Sequence, residues 1–359
     1  MSRILKGDLS ASALALQINS PNESYRESPK PSGTSEHASL LRQSLQHPSR
    51  SPLPVGHHRP VSPQRAASQF RRRARLHRRA LCRRSDAVNE FDPLFEDIYE
   101  YCEVQELEVD TLIHEVGAAQ MEINFMHGDP LNLADGVFLF KRTVREAALR
   151  HKMYATFMAK PMENEPGSAM HVHQSIVDEE TGRNLFANCD GEPSGLFYSY
   201  IAGLQKYTPA LMPIFAPYTY RRLSRFMAAP INVQWGYDNR TVGFRVPHSS
   251  AQSRSIENRI PGVDCNPYLA IAATLAAGYL GMTQHLEATE PLASDGYRQP
   301  YQLPRNLDEG LTLMGACEPL AEMFGESFVR AYLALKETEY EAFFRVISSW
   351  EPKHLLLHV

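Results

Sequence analysis

The sequence predicts an α+β fold with a mainly antiparallel sheet, preceded by a disordered basic segment. From residue 86 onwards, helical and strand patterns mix without a regular βαβ rhythm and without an internal repeat. The charge balance changes at the same place. Residues 1–85 carry 16 basic and 4 acidic residues, whereas the remainder carries 21 basic and 37 acidic residues. We therefore expect one folded domain over residues 86–359 and a disordered segment before it.

The first half of the expected domain mixes helices with short strands. Apolar residues at helical spacing, after an Asp-Pro start signal, predict a helix over 91–101. Strand patterns on either side of a glycine predict a strand–turn–strand unit over 109–125. A one-sided apolar pattern predicts a helix over 137–150, and further patterns predict strands at 153–158 and 169–177.

The second half contains longer helices and two short strands. Helices are predicted over 196–207, over 267–282, where a proline stands near the first turn, and over 326–348. The predicted strands 232–235 and 242–246 flank an Asp-Asn pair that is typical of a hairpin turn. The many short strands favour antiparallel pairing over a doubly wound parallel sheet.

The N-terminal segment, residues 1–85, is rich in serine, arginine, proline and histidine. Such a composition buries too little apolar surface to offset the entropy of the chain. Three interpretations stay open: a basic tail for nucleic acid or an anionic surface, a tail without a role, and translation in a wrong reading frame. The abrupt change to a patterned sequence favours the third. A short helix within Leu9–Ile18 is the most structure that we expect here.

Bulk properties exclude several classes of protein. No apolar run approaches the roughly 20 residues that a membrane helix needs, and the N-terminus lacks the apolar core of a secretory signal. Five scattered cysteines without CxxC pairs indicate a reducing cytoplasm. The acidic balance of residues 86–359 disfavours nucleic-acid binding by the folded part. Residues 283–325 are predicted to be mostly loop, without an assigned role.

A His-Val-His strand is the most informative motif of the chain. His171 and His173 stand two residues apart, so in a strand both imidazoles point to the same face. Gly167 allows a ligand to approach the backbone closely, and Ser168 and Ser175 add hydroxyl groups. The layout suits a cation or phosphate site, although two histidines alone more often mark a half-exposed strand face.

Two glutamates form a second candidate site. Glu115 and Glu122 lie on either side of Gly117. On one straight strand they would point to opposite faces, but a turn at the glycine would bring both carboxylates to one cation. Solvated acids are the alternative interpretation of such a pair.

Arginines stand between apolar residues on several predicted strands. The set comprises Arg222, Arg240, Arg245 and Arg259, and Glu257 shares a strand face with the last of them. Buried charges need partners, and the guanidinium fork binds carboxylate and phosphate in bidentate fashion. The pattern therefore favours oxyanion recognition, with structural pairing to local acids as the alternative.

Together these motifs resemble the catalytic domain of the glutamine synthetase family. The resemblance rests on His-Val-His after Pro-Gly-Ser, on the Asn-Arg…Arg-Val-Pro segment, and on Ile-Glu-Asn-Arg-Ile-Pro-Gly followed by Asn-Pro-Tyr-Leu-Ala. The order and spacing of these motifs are specific, and the match covers residues 86–359. It implies a mainly antiparallel curved sheet that is flanked by helices.

The resemblance also implies a set of site residues and two divalent cations, Mg²⁺ or Mn²⁺. Glu115 and Glu122 correspond to ligands of one cation, and His171 and Glu257 to ligands of the other. The remaining residues correspond to contacts with glutamate, the transferred phosphate and ATP. These are Gly167, His173, Arg222 and Arg259 for glutamate and the phosphate, and Ser175, Arg240 and Arg245 for ATP.

The implied reaction is an ATP-dependent carbon–nitrogen ligation. ATP phosphorylates the side-chain carboxylate of glutamate, and an amine then displaces phosphate from the γ-glutamyl phosphate. Ala228 stands where ammonia-using members have a glutamate, so the chain is more similar to the γ-glutamylpolyamine branch, which uses putrescine or another amine. Ammonia-dependent glutamine synthesis and a catalytically silent binding protein are the alternatives.

One departure from the family concerns residues 1–85, which contain no Glu-x-Glu strand and no β-grasp pattern. In the family, each cation takes one ligand from that strand, and the N-terminal domain completes the active site of a neighbouring subunit in a homo-oligomer. From this departure we expect weak metal binding and little turnover by the polypeptide as written.

Overall fold

The computed structural model describes most of the chain after residue 90 and one short segment before it. The described residues are 14–18, 91–117, 119–218, 220, 223–224 and 229–356. They belong to one compact unit. The strands in this part of the chain are β1 Leu14–Ile18, β2 Val109–His114, β3 Met121–Phe125, β4 Val172–Ile176, β5 Trp235–Tyr237, β6 Phe244–Val246 and β7 Ile256–Asn258. The α-helices are α1 Asp92–Val104, α2 Pro130–Arg150, α3 Gly195–Phe215, α4 Pro267–Thr283, α5 Leu307–Gly315, α6 Glu318–Phe324, α7 Glu326–Phe344 and α8 Trp350–Leu355.

Strand β1 is the described part of the N-terminal segment that the sequence predicts to be disordered. It pairs antiparallel with β4 along its whole length. The helix expected within Leu9–Ile18 is therefore wrong for residues 14–18. The sequence Leu-Ala-Leu-Gln-Ile has the period of two that suits a strand, and the edge of β4 offers it backbone hydrogen bonds. The rest of residues 1–85 lies outside the described residues.

The main sheet has five strands in the order β1-β4-β7-β6-β5, and β2 and β3 form a separate antiparallel pair. The β1–β4, β4–β7 and β6–β7 pairs are antiparallel, so the predicted α+β fold with a mainly antiparallel sheet is confirmed. Strands β5 and β6 instead pair in parallel, with Trp235 opposite Phe244 and Tyr237 opposite Val246. The expected hairpin between these two strands is wrong.

The connection between β5 and β6 explains their parallel pairing. Asn239 Nδ2 donates to the carbonyl oxygens of Leu292 at 2.8 Å and Ser294 at 2.9 Å, so the chain runs out to a distant loop instead of turning tightly. It then returns to the start of β5, where the Phe244 N–H donates to the Gln234 carbonyl oxygen at 3.1 Å. The Asp-Asn pair therefore anchors a loop and does not form a hairpin turn.

The five helices predicted within residues 86–359 correspond to α1, α2, α3, α4 and α7, with shifted ends. Asp129, Ser194 and Asn266 cap α2, α3 and α4, because their side chains accept hydrogen bonds from first-turn backbone N–H groups. Residues 153–158, predicted as a strand, form none. Residues 283–325, predicted to be mostly loop, contain α5 and α6.

Local contacts account for the missing strand at 153–158 and for the two helices within 283–325. The Met153 N–H donates to the Ala148 carbonyl oxygen at 2.8 Å, so the segment after α2 closes that helix instead of joining a sheet. Helix α5 is capped by Asn306, and its buried apolar side chains Leu307, Leu311 and Met314 recur at helical spacing. That period stands in the sequence, but the flanking prolines and glycine suggested a surface loop.

Helices α3 and α4 form the centre of the core against one face of the main sheet. Tyr200 of α3 is fully buried, and its hydroxyl donates to Gln174 Oε1 of β4 at 2.5 Å. The two helices touch backbone to backbone, because a Cβ added to Gly281 would lie 2.1 Å from the Ser199 carbonyl oxygen and 2.6 Å from Gly203 Cα. Since side chains alternate along a strand, His173 and Gln174 lie on opposite faces of β4.

No helix in the described part of the chain combines the length and the apolar character that crossing a membrane requires. In the same described part, the cysteines are free thiols, namely Cys102, Cys189, Cys265 and Cys317. The cytoplasmic location expected from the cysteine pattern stays a prediction.

Gly281→Ala should lower the free energy of unfolding by about 2–3 kcal/mol, because the new methyl group meets backbone atoms of α3 that cannot move aside as a side chain would. Urea unfolding measures the loss. Gly195→Ala is the matched control, since a Cβ there meets nothing within 4 Å, and it should change stability by less than about 0.5 kcal/mol. Equal losses in both variants would contradict the close approach of the two helices.

Candidate functional site

Glu257 lies at the centre of a charged row on one face of the main sheet. It stands opposite His173 of β4 on one side and opposite Arg245 of β6 on the other. Directly opposite residues of an antiparallel pair share a face. His171 and Arg259 each lie two residues from a member of the row, and side-chain alternation places them on this face too. Three short strands thus bring five charged or titratable groups together.

The Glu257 carboxylate has partners on both oxygens. Its Oε1 lies 2.7 Å from Arg259 Nη1, 3.1 Å from His171 Nδ1 and 3.9 Å from His173 Nε2. Its Oε2 accepts a hydrogen bond from Arg245 Nη1 at 2.9 Å. The prediction that both imidazoles share one strand face is therefore confirmed. Because Glu257 is only 1% exposed, the group is a buried ion network, in which loss of one partner costs about 3–5 kcal/mol.

The surrounding charges fix the protonation states of this network. Burial would raise the pKa of Glu257, but Arg259 and the two histidines outweigh burial and hold the pKa well below its ordinary value. Burial lowers the pKa of His173, and the neighbouring arginines add to this effect against Glu257. The site therefore combines an ionised carboxylate with a neutral His173 imidazole.

Arg245 has a second carboxylate partner, Asp238, to which the sequence analysis assigned no site role. Arg245 Nη2 donates to Asp238 Oδ1 at 2.7 Å while Nη1 contacts Glu257. Burial would lower the pKa of Arg245, but the two carboxylates outweigh it and raise the pKa above its ordinary value. Asp238 has a φ of 46°, in the left-handed region that Asp adopts more readily than most residues. The Asp-Asn pair was interpreted as a turn, which concealed this contact.

The turn between β2 and β3 brings Glu115 and Glu122 together, as the sequence analysis expected of a turn at Gly117. The Gln120 N–H donates to the Gly117 carbonyl oxygen at 3.1 Å, and the Glu115 N–H donates to the Gln120 carbonyl oxygen at 2.9 Å. Burial, followed by the charge of Glu115 and a hydrogen bond with it, raises the pKa of Glu122 to about 7. The two carboxylates are thus close enough to share a proton.

This acid pair lies beside the Glu257 network. The charge of Glu257 contributes to the raised pKa of Glu122, and the charge of Arg240 opposes it. Arg240 itself is exposed. The separate β2–β3 pair and the main sheet therefore contribute to one continuous site.

Gln120 connects the acid pair to the loop that leads into β4. Its Nε2 donates to the Gly167 carbonyl oxygen and to Ser168 Oγ, both at 3.0 Å. The sequence analysis gave Gln120 no role. Its position between two glutamates, in a turn, was the signal that could have drawn attention to it.

Of the remaining predicted site residues, the structure describes Ser175 but not Arg222. Ser175 is half-buried on β4 and, by alternation, shares the face of His173. Arg222 lies outside the described residues, as does Ala228. The structure brings together Glu115, Glu122, Gly167, His171, His173, Arg240, Arg245, Glu257 and Arg259.

Two residues were predicted as ligands for each cation, and all four lie in the described part of the chain. In that part no group of three or more His, Cys, Asp or Glu residues forms a candidate metal cluster. Glu115 and Glu122 fit a divalent cation, because two hard oxygen donors stand close together at the cost of a raised pKa. Mg²⁺ commonly takes one or two carboxylates plus waters and substrate phosphates. The fit of His171 and Glu257 is weaker, because two arginines already neutralise the Glu257 carboxylate.

Comparison with known proteins identifies a family model and several relatives that match this chain. The model of the glutamine synthetase catalytic domain matches residues 50–355. The chain is 34% identical to gamma-glutamylputrescine synthetase PuuA of Escherichia coli strain K12, over 76% of this chain and 58% of the relative. It is 35% identical to the glutamate–isopropylamine ligase of a Pseudomonas species, over 66% and 53%. It is 33% identical to the glutamine synthetase of Halobacterium salinarum, over 71% and 59%.

Solved structures agree with the sequence relatives. A structure described as apo GmaS without ligand has a TM-score of 0.70 and 30% identity, over 77% of this chain and 65% of that chain. The chain spans less than two thirds of the length of these relatives. Because the domain model matches most of its residues, this chain belongs to the glutamine synthetase family.

Proposed function

We propose that this chain carries the chemistry of an ATP-dependent glutamate–amine ligase that works through γ-glutamyl phosphate. Enzymes of the family are carbon–nitrogen ligases that use ATP and Mg²⁺ or Mn²⁺. The observation that carries the proposal is the Glu257 network, in which two buried arginines and two histidines surround one carboxylate. The reaction requires such a set of cationic and neutral donors, because both substrates are oxyanions.

Unused donors in this network support the proposal. Among the described residues, the buried atoms His173 Nε2, Arg245 Nε and Arg259 Nε have no hydrogen-bond partner. Buried donors without partners are costly and rare in folded proteins. A carboxylate or phosphate oxygen bound at this face would satisfy them. We propose that the γ-carboxylate of glutamate and the transferred phosphoryl group occupy these positions.

In the proposed first step, a γ-carboxylate oxygen of glutamate attacks the γ-phosphorus of ATP, the bond to the bridging oxygen breaks, and ADP leaves. In the second step the amine nitrogen attacks the acyl carbon, phosphate leaves, and the nitrogen loses a proton. Arg259 and Arg240 are suited to neutralise the charge of the moving phosphoryl group. Glu115 and Glu122 would hold a divalent cation that supplies further charge neutralisation at the ATP phosphates.

The acceptor that we propose is an organic amine such as putrescine. Two of the relatives are named as ligases of organic amines, a gamma-glutamylputrescine synthetase and a glutamate–isopropylamine ligase. Ala228 also replaces the glutamate that assists deprotonation of ammonium in ammonia-using members. Ammonia is the second candidate, because several relatives are glutamine synthetases.

With ATP, Mg²⁺ and glutamate present, phosphate release should be slow, because residues 1–85 contain no Glu-x-Glu pattern. It should still depend on an organic amine, and putrescine or isopropylamine should give a higher kcat/KM than ammonium. Phosphate detection together with mass spectrometry of the γ-glutamylamide measures the reaction. A higher kcat/KM with ammonium would shift the assignment to glutamine synthesis. Phosphate release that is independent of glutamate and of every amine would contradict the ligase proposal.

Arg240→Ala should lower this rate roughly 100-fold, because it removes one charge that stabilises the transferred phosphoryl group. Its fold should be unaffected, since Arg240 is exposed. Arg345→Ala is the matched control, because its side chain is 81% exposed and lies 4.0 Å from a single partner, Glu341. Similar rates for the two variants would remove Arg240 from the phosphate site.

Glu122→Gln should have opposite effects on the metal-free and the metal-bound protein. The pKa of Glu122 is raised from 4.5 to about 7, so between these values the folded protein holds a proton that the unfolded chain lacks. Stability therefore falls as the pH rises through this window. Glutamine at position 122 does not titrate, so this loss of stability with rising pH should disappear. Near pH 8 in chelator, the free energy of unfolding should therefore be higher by roughly 1–2 kcal/mol, with allowance for solvent screening.

The same variant should lose the stabilisation that Mg²⁺ with ADP gives to the original protein, because one cation ligand is missing. Urea unfolding with chelator and with Mg²⁺–ADP measures both effects. Glu163→Gln, an exposed glutamate in the loop before β4, is the control and should change neither. An unchanged response of Glu122→Gln to Mg²⁺–ADP would contradict its role as a cation ligand.

We also propose that the functional form contains more than one copy of the chain, as the family resemblance implies. Large apolar side chains are exposed near the end of α7 and on α8, namely Phe343, Phe344, Ile347, Trp350 and Leu356. A patch of this kind is typical of an interaction surface. Sedimentation velocity should show a mass above that of the monomer, and Ile347→Asp should reduce it. Val104→Asp, at a residue exposed to a similar degree on α1, should not.

A further inference from the structure

Gln120 is fixed by backbone hydrogen bonds at the centre of the turn that carries the acid pair. Its N–H donates to the Gly117 carbonyl oxygen at 3.1 Å, and its own carbonyl oxygen accepts from the Glu115 N–H at 2.9 Å. Glu122 follows two residues later on β3. If a bound cation moves either glutamate, the backbone of Gln120 should therefore move with it.

The side-chain amide of Gln120 uses both of its ends. Its Oε1 accepts from the Gly117 N–H at 3.1 Å, which holds the amide within the turn. Its Nε2 donates to the Gly167 carbonyl oxygen and to Ser168 Oγ, both at 3.0 Å. These last two residues lie 47 and 48 positions further along the chain. The amide therefore bridges two segments that no strand ladder joins in the described sheets.

The far end of this bridge is anchored to the Glu257 network. The Ser168 carbonyl oxygen accepts from the Val263 N–H at 3.2 Å, and Ala169 forms an antiparallel bridge with Gly262. The chain then continues through Met170, whose N–H donates to the Pro261 carbonyl oxygen at 2.9 Å, into the strand that carries the two histidines. A shift of Gly167 and Ser168 would thus be transmitted both to the strand that carries the two histidines and to the segment at 261–263.

Only a glutamine amide of this length supplies one acceptor and two donors from one planar group. A glutamate here would place a third carboxylate beside the acid pair and could not donate when ionised. Gly117 leaves the space that the amide needs, because a Cβ at that position would lie 2.5 Å from Gln120 Oε1. The bridge therefore depends on two residues that can be changed independently.

We propose that Gln120 is a positioning residue that couples the acid pair to the substrate loop, so that a divalent cation held by Glu115 and Glu122 strengthens glutamate binding at Gly167 and Ser168. This inference rests on the proposed function, because it takes glutamate as the ligand of that loop. Linkage makes the coupling reciprocal, so glutamate strengthens cation binding by the same factor.

The test is calorimetric titration of the full-length protein with L-glutamate, with ADP present, in chelator and at saturating Mg²⁺. In the original protein Mg²⁺ should lower the Kd of glutamate about tenfold, a common size for coupling between sites. In Gln120→Ala the ratio of the two Kd values should fall to about two or less, while helical circular dichroism stays unchanged. A purely structural role would weaken binding in both conditions and leave the ratio intact.

Two further variants complete the test. Gly117→Ala displaces the amide without removing it and should also reduce the ratio, so it decides the question if Gln120→Ala does not fold. Gln105→Ala is the matched control, because its Nε2 likewise makes two hydrogen bonds, to the Tyr101 carbonyl oxygen at 2.8 Å and to Thr143 Oγ1 at 3.0 Å, away from the site. It should keep the original ratio.

The outcomes separate the inference from the function on which it rests. If the original protein shows coupling and the Gln120 and Gly117 variants keep it, or if the original protein binds glutamate without any effect of Mg²⁺, the inference is wrong and the proposed ligase function stands. If the original protein binds no glutamate in either condition, the proposed function fails and the inference fails with it.

Discussion

The buried carboxylate of Glu257 is the group on which the rest of the site depends. Arg245 and Arg259 lie 2.9 and 2.7 Å from its oxygens, and all three side chains are almost inaccessible to water. A buried guanidinium without a carboxylate is as unfavourable as a buried carboxylate without a guanidinium. The three charges therefore require one another, and they hold β6 and β7 in one register. A one-residue slip of β7 would turn Glu257 to the other face and leave Arg245 with Asp238, an exposed residue, as its carboxylate partner.

The opposite face of the same strands fixes that register a second time. Asn258, next to Glu257, donates through Nδ2 to Thr274 Oγ1 of α4 at 3.1 Å. Gln174, next to His173, accepts from the Tyr200 hydroxyl of α3 at 2.5 Å. Strands β4 and β7 thus each carry a charged or titratable residue on the site face and a hydrogen-bonded amide on the core face. The packing of the core helices and the positions of the site residues therefore depend on the same two strands.

Sequence patterns predicted the parts of this arrangement that are local. The alternation around His173 and the turn at Gly117 follow from the short periods of strands and turns, and the structure places both as expected. The contacts of Asp238 and Gln120 could not be predicted in that way. They depend on which loop lies beside which strand, and the same residue types are ordinary in turns. The parallel β5–β6 pair was missed for a related reason, because a remote loop holds Asn239.

The arrangement divides the arginines of the site into two kinds. Arg245 has both terminal nitrogens engaged by Glu257 and Asp238, so it serves mainly to hold the network and offers a substrate only Nε. Arg259 contacts Glu257 through one terminal nitrogen, and in the proposed function the other would donate to an oxyanion. Arg240 is exposed, and its charge opposes the rise in the pKa of Glu122. In the proposed reaction, a phosphoryl group would meet a site in which Glu257 and Asp238 already balance the charges of Arg245 and Arg259. Arg240 and a cation on the acid pair would then supply most of the further neutralisation. Burial and the neighbouring charge of Glu115 raise the pKa of Glu122 to about 7, so a cation bound by the two carboxylates would supply counter-charge at that point.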